Sequence, residues 1–395
     1  MDNVKKQIID NINKGITSLE NKDFTLYFFV IDSDNVPNGS MEYIYRMAKT
    51  LHDNGYKVKM VYQLENEYTA KELKKLRQKE ENIDENRVFH GVGEWLGEEY
   101  ANLPHSNILT SEWSVGPADF LFIPEVFSSL MKQTYKFNAP CKRIVVLHNY
   151  NYITEFIPFG DEWGTYGIYD VITNTQNNAN DIQDIFPYVK TNILQPYISG
   201  DFRNPIKPQK LIVNLICKNP DDINRIMKQF YWRFPVYKFV SFRDIRNFPK
   251  KTFAEMLKES AITVWVDPET PFGESALEAM RCGNIIIGKV PERVPDWMTN
   301  PDGTLKDNGI WTYDINSIPQ IIARVIGSWM QDKIPETILE NMKETNKRFT
   351  EEEWNKNCVS IMENYVTRRI EDMKQIVIGT TTSDKEKEQS KKKEE

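Results

Sequence analysis

The fold of this chain is decided by one stretch, Asp267-Pro-Glu-Thr-Pro-Phe-Gly-Glu-Ser-Ala-Leu-Glu-Ala-Met-Arg-Cys-Gly-Asn-Ile-Ile-Ile-Gly288. It begins where an apolar strand over 262–266 ends, and it continues with a loop that contains a glycine. A helix over 275–281 is predicted next, and the apolar residues 285–287 predict another strand. A strand, a helix and a second strand in this order form the unit from which parallel sheets are built.

The same stretch carries groups suited to an anionic ligand that also has hydroxyl groups. Gly273 lets the backbone approach a ligand closely, because glycine has no Cβ. The N-terminus of the following helix offers free N–H groups and the positive end of the helix dipole. Glu278 lies one turn into this helix, where its carboxylate can hold hydroxyls. These features predict a nucleotide-sugar site.

Alternating strands and helices extend in both directions from this stretch. The second half of the chain has predicted strands at 211–216, 237–242, 262–266, 285–287 and 309–312, with helices at 220–230, 252–260, 275–281 and 317–330. The first half has predicted strands at 24–31, 57–62, 120–123, 144–147, 171–172 and 192–194, with a helix at 41–53. The pattern predicts an α/β protein with two tandem Rossmann-like, doubly wound domains and a ligand-binding cleft between them.

The domain boundaries follow from changes in composition. A stretch with Pro and Gly over 199–208 predicts a linker, so we expect a first domain over 1–198 and a second, nucleotide-sugar-binding domain over 199–348. Apolar residues at three-and-four spacing predict a helix over 349–375 that packs back on the domains. Residues 380–395 contain no apolar side chain and are expected to form a disordered charged tail.

Composition excludes several other classes of protein. The 395 residues include no apolar run long enough for a membrane span, and the N-terminus lacks the apolar core of a signal peptide, so a cytoplasmic protein is expected. The four cysteines and the histidines show no metal-binding spacing, so no metal site is expected. The net charge of −7 makes nucleic acid an unfavoured partner, although one local basic patch stays open.

Two further segments are predicted to lie at strand ends that face the cleft. Asn38, Gly39 and Ser40 join the first strand to its helix, and Gly39 permits a positive φ there. A phosphate or an acceptor hydroxyl could meet the helix N-terminus; the alternative is an ordinary loop with Ser40 as N-cap. Lys218 follows the first strand of the second domain and could neutralise a diphosphate; the alternative is a solvated lysine.

The proposed binding role of Glu278 has a structural alternative. Ser275 and Glu278 have the spacing of a capping box, in which the glutamate bonds only its own helix backbone. The flanking residues favour the binding role, because Phe272-Gly273 and Cys282-Gly283 let the helix begin and end close against strands.

The whole pattern, Phe272-Gly273-x-x-x-Leu277-Glu278-Ala279-Met280-x-x-Gly283, resembles the signature of retaining glycosyltransferases of the group 1 type, which have the two-domain GT-B fold. The family's motif is a glutamate, seven residues and a second glutamate. The resemblance implies that Glu278 is the second glutamate and holds the donor ribose. The first falls on Thr270, which departs from the family. Glu269 is the favoured catalytic replacement, and Glu274 is the alternative.

The resemblance extends beyond this motif. Residues 36–61 are similar to the family's first Gly loop, helix and second strand. Val145-Val-Leu-His148 resembles a strand that ends in a histidine facing the donor sugar, with a satisfied structural histidine as the alternative. Lys218 matches in type one of the cations that the family offers to the diphosphate. The other implied donor contacts are Phe272, Gly273, Glu274 and Ser275.

These observations predict a retaining, metal-independent glycosyltransferase. The donor is a nucleotide diphosphate sugar and no other cofactor is expected; the acceptor is a glycan, a lipid-linked sugar or a small molecule. Two alternatives stay open. The missing acid at Thr270 is compatible with an inactive GT-B-like binding or scaffold subunit. A transferase that glycosylates modified DNA bases fits the fold, but the negative charge disfavours it.

Overall fold

The computed structural model describes residues 2–31, 33, 35–63, 91–107, 115–136, 140–203, 205 and 209–394. Within these ranges the chain forms two parallel β-sheets, one of seven strands and one of five. Alternate residues of the central strands enter cores on opposite faces of each sheet. The predicted α/β fold class, with two doubly wound domains in tandem, is confirmed.

The first sheet has the strand order β3-β2-β1-β4-β5-β6-β7. Its strands are Thr25–Ile31 (β1), Lys57–Gln63 (β2), His105–Asn107 (β3), Phe120–Pro124 (β4), Lys142–Leu147 (β5), Asp170–Thr173 (β6) and Lys190–Ile193 (β7). In β1, Phe28 enters one core and Phe29 the other. Burial on both faces explains why this strand is a continuous apolar run without polar alternation.

Six α-helices belong to the described part of the first domain. They are Asp2–Glu20 (α1), Gly39–Asp53 (α2), Glu98–Ala101 (α3), Ser128–Lys136 (α4), Asn151–Phe156 (α5) and Gln176–Ile185 (α6), with a 3₁₀ helix at Trp163–Tyr166. A second 3₁₀ helix, Gly200–Phe202, lies in the predicted linker, of which residues 204 and 206–208 are outside the described residues.

The second sheet has the order β12-β11-β10-β8-β9. Its strands are Lys210–Cys217 (β8), Ser241–Asp244 (β9), Ser260–Val266 (β10), Ile285–Lys289 (β11) and Ile310–Thr312 (β12). Its helices are Pro220–Arg233 (α7), Lys250–Glu259 (α8), Glu274–Arg281 (α9), Ile318–Met330 (α10) and Glu336–Asn346 (α11), with 3₁₀ helices at Pro235–Tyr237, Asp296–Met298 and Ile315–Ser317.

The strand predicted over 237–242 is displaced in the structure. A 3₁₀ helix occupies Pro235–Tyr237, and β9 begins only at Ser241. Pro235 has no N–H for a strand ladder, and the N–H of Tyr237 bonds the Phe234 carbonyl at 3.0 Å. The aromatic residues here misled the sequence prediction because they have strand propensity yet lie in a turn.

The last helix, α12, spans Glu351–Glu394 and packs against α1 and α2 of the first domain. The indole N–H of Trp354 donates to the hydroxyl of Thr50 at 2.9 Å. The backbone of α12 is helical through Glu394. The disorder predicted for the charged tail over 380–395 stays a prediction.

Candidate functional site

The carboxyl ends of the two sheets face each other, and several hydrogen bonds and ion pairs join the domains there. The side-chain amide of Asn149, just after β5, donates to the carbonyl of Glu269 at 3.4 Å. On α6, Asn177 donates to the carbonyl of Val294 at 2.8 Å. The first bond joins the loops after β5 and β10, and the second joins α6 to the segment after β11. The residues that the sequence singled out in the two domains therefore share one cleft.

The loop that contains Asn38, Gly39 and Ser40 begins α2, but not in the way the sequence predicted. Asn38 is the N-cap, and its side-chain oxygen accepts the N–H of Met41 at 3.1 Å. The prediction of Ser40 as N-cap is wrong, because the helix already begins at Gly39. Gly39 has no positive φ, and a Cβ there would meet no atom within 4 Å. Its lack of a side chain is thus not required for the turn.

Asn38 and Ser40 line a cavity of about 530 Å³ at the carboxyl ends of β1, β4 and β5. We call it the first-domain cavity. His148 lines it from the end of β5, and Tyr152 lines it from α5. A pocket of this size accommodates a small-molecule ligand. The sequence had placed the loop and His148 at the same cleft, and the structure brings them to the wall of one cavity.

Hydrogen bonds hold both the N–H and the carbonyl of His148 in place. Its N–H donates to Oε1 of Glu125 at 3.0 Å. Its carbonyl accepts from the side chains of Asn174 at 3.1 Å and Asn178 at 3.2 Å. Neither ring nitrogen has a hydrogen-bond partner among the described residues. The main chain is therefore held rigidly, and the ring is left to bind a ligand.

The imidazole of His148 is neutral at physiological pH. Burial, with the positive charge of Lys218 as the second cause, lowers its pKa to about 4. The charge of Lys218, which follows β8 in the other domain, is therefore near enough to act on His148. A neutral imidazole can donate one hydrogen bond and accept another, so it suits a sugar hydroxyl better than an anion.

Glu125 was missed at the sequence level. It follows β4, its side chain is buried, and Oε1 also accepts the N–H of Asn149 at 2.9 Å. Oε2 forms no hydrogen bond with the described residues, and the side chain lines the first-domain cavity. Burial raises the pKa of Glu125 to about 7, although backbone hydrogen bonds oppose the shift. A lone Glu after a strand carries no sequence signal for this role.

On the second-domain side, Lys218, Asp267 and Glu269 lie at the ends of β8 and β10. The N–H of Lys218 donates to the carbonyl of Val266 at 2.8 Å, and its ammonium forms no ion pair with a described residue. Burial raises the pKa of Asp267, and Lys218 partly offsets this. Glu269 has an exposed side chain. Among the described residues of the cleft, Lys218 is thus a cation without an ion-pair partner near the neutral His148.

The loop between Glu269 and α9 is shaped by Gly273. Its φ of 76° is in the left-handed region, and a Cβ would lie 2.9 Å from Cζ2 of Trp265. The hydroxyl of Thr270 accepts the N–H of Gly273 at 3.0 Å. The ring of Phe272 is buried against Phe349, at 5.4 Å between centroids. The side chains of Thr270 and Phe272 therefore hold the loop in place, and Phe272 faces the core.

The capping-box interpretation of Glu278 is wrong. Helix α9 begins at Glu274 with Gly273 as its N-cap, so Ser275 is already inside the first turn. The carboxylate of Glu278 points away from its own backbone and lies 2.5 Å from the ammonium of Lys250. Burial raises the pKa of Glu278 to about 7, while Lys250 opposes the shift.

Glu278 belongs to a buried ionic cluster that bridges the domains, formed by Glu42 and Arg46 of α2 with Lys250, Glu274 and Glu278. Lys250 lies 2.9 Å from Glu42, and Arg46 lies 2.9 Å from Glu274. Three carboxylates face two cations, which leaves one negative charge in excess. The sequence missed Arg46 and Lys250, since residues about 200 positions apart in the chain carry no local pattern.

The described residues hold no group of three or more His, Cys, Asp or Glu placed to bind a metal ion. Across the same ranges, none of the helices has both the length and the apolar character needed to cross a membrane.

No protein-family model matches the chain, and no curated protein matches it. Solved structures do match. They include sucrose-phosphate synthase from Thermosynechococcus elongatus, with TM-score 0.52 and 11% identity over 86% of this chain and 98% of that one. HepE from Anabaena, in complex with UDP-glucose, has TM-score 0.53 and 13% identity over 86% and 99%. The pneumococcal O-GlcNAc transferase GtfA, in complex with UDP and GlcNAc, has TM-score 0.57 and 9% identity over 88% and 99%.

The chain has the GT-B fold. The alignments span nearly the full length of the matching glycosyltransferases, so both domains of GT-B are present in their usual order. At these identities the likeness is one of fold. The cleft residues described above thus occupy the space between the two GT-B domains, where open α/β sheets bind ligands.

Proposed function

We propose that the protein transfers a sugar from a nucleoside diphosphate sugar to an acceptor hydroxyl, with retention of configuration and without a metal ion. The observation that carries the proposal is the pairing of Lys218 and the N-terminus of α9 in one domain with His148 and the first-domain cavity in the other. Two structures of the same fold hold UDP or UDP-glucose, which favours this donor class.

In this proposal the second domain binds the donor. Lys218 neutralises the diphosphate, and the free N–H groups at Glu274 and Ser275 add the positive end of the helix dipole. Glu278 accepts the ribose hydroxyls. Because Glu278 is only 3% exposed and paired with Lys250, the contact between Lys250 and Glu42 has to open before a ribose reaches it. Donor binding is therefore coupled to domain opening.

The proposed chemistry takes place between the two domains. The acceptor oxygen forms a bond to the anomeric carbon on the face from which the diphosphate leaves. The bond from that carbon to the diphosphate oxygen breaks with its electrons, and a diphosphate oxygen takes the acceptor proton. Lys218 stabilises the leaving charge, and neutral His148 and the carboxylate of Glu269 bind sugar hydroxyls. Closure of the cleft excludes water and suppresses donor hydrolysis.

The experiment is incubation with UDP-, GDP- and ADP-sugars followed by quantification of free nucleoside diphosphate. We expect turnover with one donor class and its loss in Glu269→Gln, with nucleotide binding retained. Glu255→Gln is the matched control, since Glu255 is exposed on α8 and forms no ion pair with the described residues. Unchanged turnover in Glu269→Gln rejects the role of that residue.

An inactive GT-B-like binding subunit is the second candidate, and one observation favours it. Thr270 stands where the family has an acid, and its hydroxyl is engaged with the N–H of Gly273. Affinity for a nucleotide sugar without any nucleotide release supports this candidate over the enzyme. The cytoplasmic location stays a prediction.

A further inference from the structure

The first-domain cavity has a definite charge character as well as a shape. Most of its wall is apolar, with Met41, Ile44, Phe127, Tyr152 and Phe156 contributing side chains. An apolar wall of this kind stabilises a ligand by removing its apolar surface from water. The polar side-chain groups among the described lining residues are those of Asn38, Ser40 and His148, the phenol hydroxyl of Tyr152 and two carboxylates.

The two carboxylates are Glu125 and Glu155. Glu125 is 3% exposed and lines the cavity, and its Oε2 has no hydrogen bond to the described residues. Glu155 is exposed on α5 and lines the cavity nearer to solvent. Among the described residues that line the cavity there is no lysine or arginine. The charge of Lys218, in the opposite domain, acts on His148 and on Tyr152 of the lining.

Glu125 has a pKa of about 7, so at pH 8 it is mainly ionised, and an anionic ligand in this cavity would then lie beside its carboxylate in a low-dielectric environment. Like charges at short range are strongly unfavourable when water is excluded. A hydroxyl or an ammonium group, in contrast, can donate to the free oxygen of Glu125. Rejection of one ligand by an uncompensated like charge is a common source of specificity.

We propose that the acceptor is an uncharged or cationic molecule with an apolar face, whose reacting hydroxyl lies between His148 and Glu125, and that phosphorylated acceptors are rejected. This inference rests on the proposed function for the assignment of the cavity to the acceptor. The charge preference itself is a property of the cavity and is measurable by binding alone.

The test compares 4-nitrophenyl glucoside with its 6-phosphate. Binding of each to the full chain is measured by calorimetry at pH 8, where Glu125 is mainly ionised, and kcat/KM is measured at the same pH with a donor that the protein turns over. We expect the neutral compound to be preferred by roughly 100-fold. Glu155→Lys should reduce this preference about tenfold by improving binding of the phosphate compound. Asp184→Lys, an exposed change on α6 away from the cavity, should leave the preference unaltered.

Equal binding of the two compounds, or a preference for the phosphate, overturns the inference. An unchanged preference in Glu155→Lys does so as well. Failure of the proposed function has a different signature, namely no nucleoside diphosphate release with any donor while the neutral glucoside still binds in preference to its phosphate.

Discussion

Oε1 of Glu125 accepts the backbone N–H of His148 at 3.0 Å, and this bond fixes the end of β5 against the end of β4. It places a buried acid and a neutral imidazole on the wall of one cavity. The turn after β5 then carries Asn149 to the second domain, where it contacts Glu269. The first prediction concerns this buried acid.

Replacement Glu125→Gln should change the pH dependence of stability. Glu125 has a pKa of about 7 in the folded protein against 4.5 ordinarily, so the folded state binds the extra proton between these values. The stability it contributes is fully present below pH 4.5 and is lost as pH rises through 7. Relative to Gln, wild type should lose up to about 3 kcal/mol over this range. Urea unfolding of both proteins from pH 4.5 to 8 measures this difference in the free energy of unfolding. If the two proteins show the same pH dependence, Glu125 does not have a raised pKa.

Replacement His148→Asn should lower kcat by roughly 100-fold, because a preorganised hydrogen bond to the reacting sugar is lost. Donor affinity should change little. Since burial lowers the pKa of His148 to about 4, its NMR ring signals should titrate below pH 5, and kcat should show no inflection from it near 6.5. A His148 titration near 6.5 refutes the neutral-imidazole role.

The ionic cluster predicts effects of unequal size on stability for two neutralising changes. Glu278→Gln removes the excess negative charge and should alter the free energy of unfolding by about 1 kcal/mol or less. Lys250→Met leaves three carboxylates, two of them buried, facing Arg46 alone and should destabilise by about 3–5 kcal/mol. Denaturant unfolding of the two variants measures their free energies of unfolding. Equal losses of stability would contradict the excess of one negative charge in the cluster.

Two glycines give a matched pair. Gly273→Ala should destabilise the protein by about 1–3 kcal/mol, because its φ is 76° and the new Cβ meets the ring of Trp265. Gly39→Ala should be neutral or stabilising by up to about 1 kcal/mol, since the position is helical and open. Thermal unfolding of both variants distinguishes the two positions.

The sequence predicted what local patterns encode. Apolar runs predicted the strands. The stretch from Asp267 to Gly288 predicted the loop, the helix and the position of Glu278 on that helix. It also placed His148 and Lys218 at strand ends in one cleft, where the structure finds them. The N-cap of α2 is Asn38 in the structure, not Ser40. Both residue types can cap a helix, and the backbone geometry at the start of the helix decides which one does.

What the sequence could not show depends on contacts between distant segments. Glu125, Arg46 and Lys250 acquire their roles from neighbours in other strands or in the other domain. Glu278 lies in a cluster with Lys250 of α8 and with Glu42 and Arg46 of α2, which no spacing within the motif encodes. Binding of the donor ribose by Glu278 stays a prediction. It also requires that the contact between Lys250 and Glu42 opens first.

The proposed function requires that the donor binds at Glu278 and that its sugar is then transferred. Its most direct measurement is the affinity for the nucleoside diphosphate of the preferred donor, by calorimetry, in wild type and Glu278→Gln, with nucleotide release followed in parallel. We expect the variant to remain folded and to bind the nucleoside diphosphate at least about tenfold more weakly, which is a loss of about 1.4 kcal/mol. We also expect it to release little nucleotide. Equal affinity in the two proteins, with both folded, would contradict it.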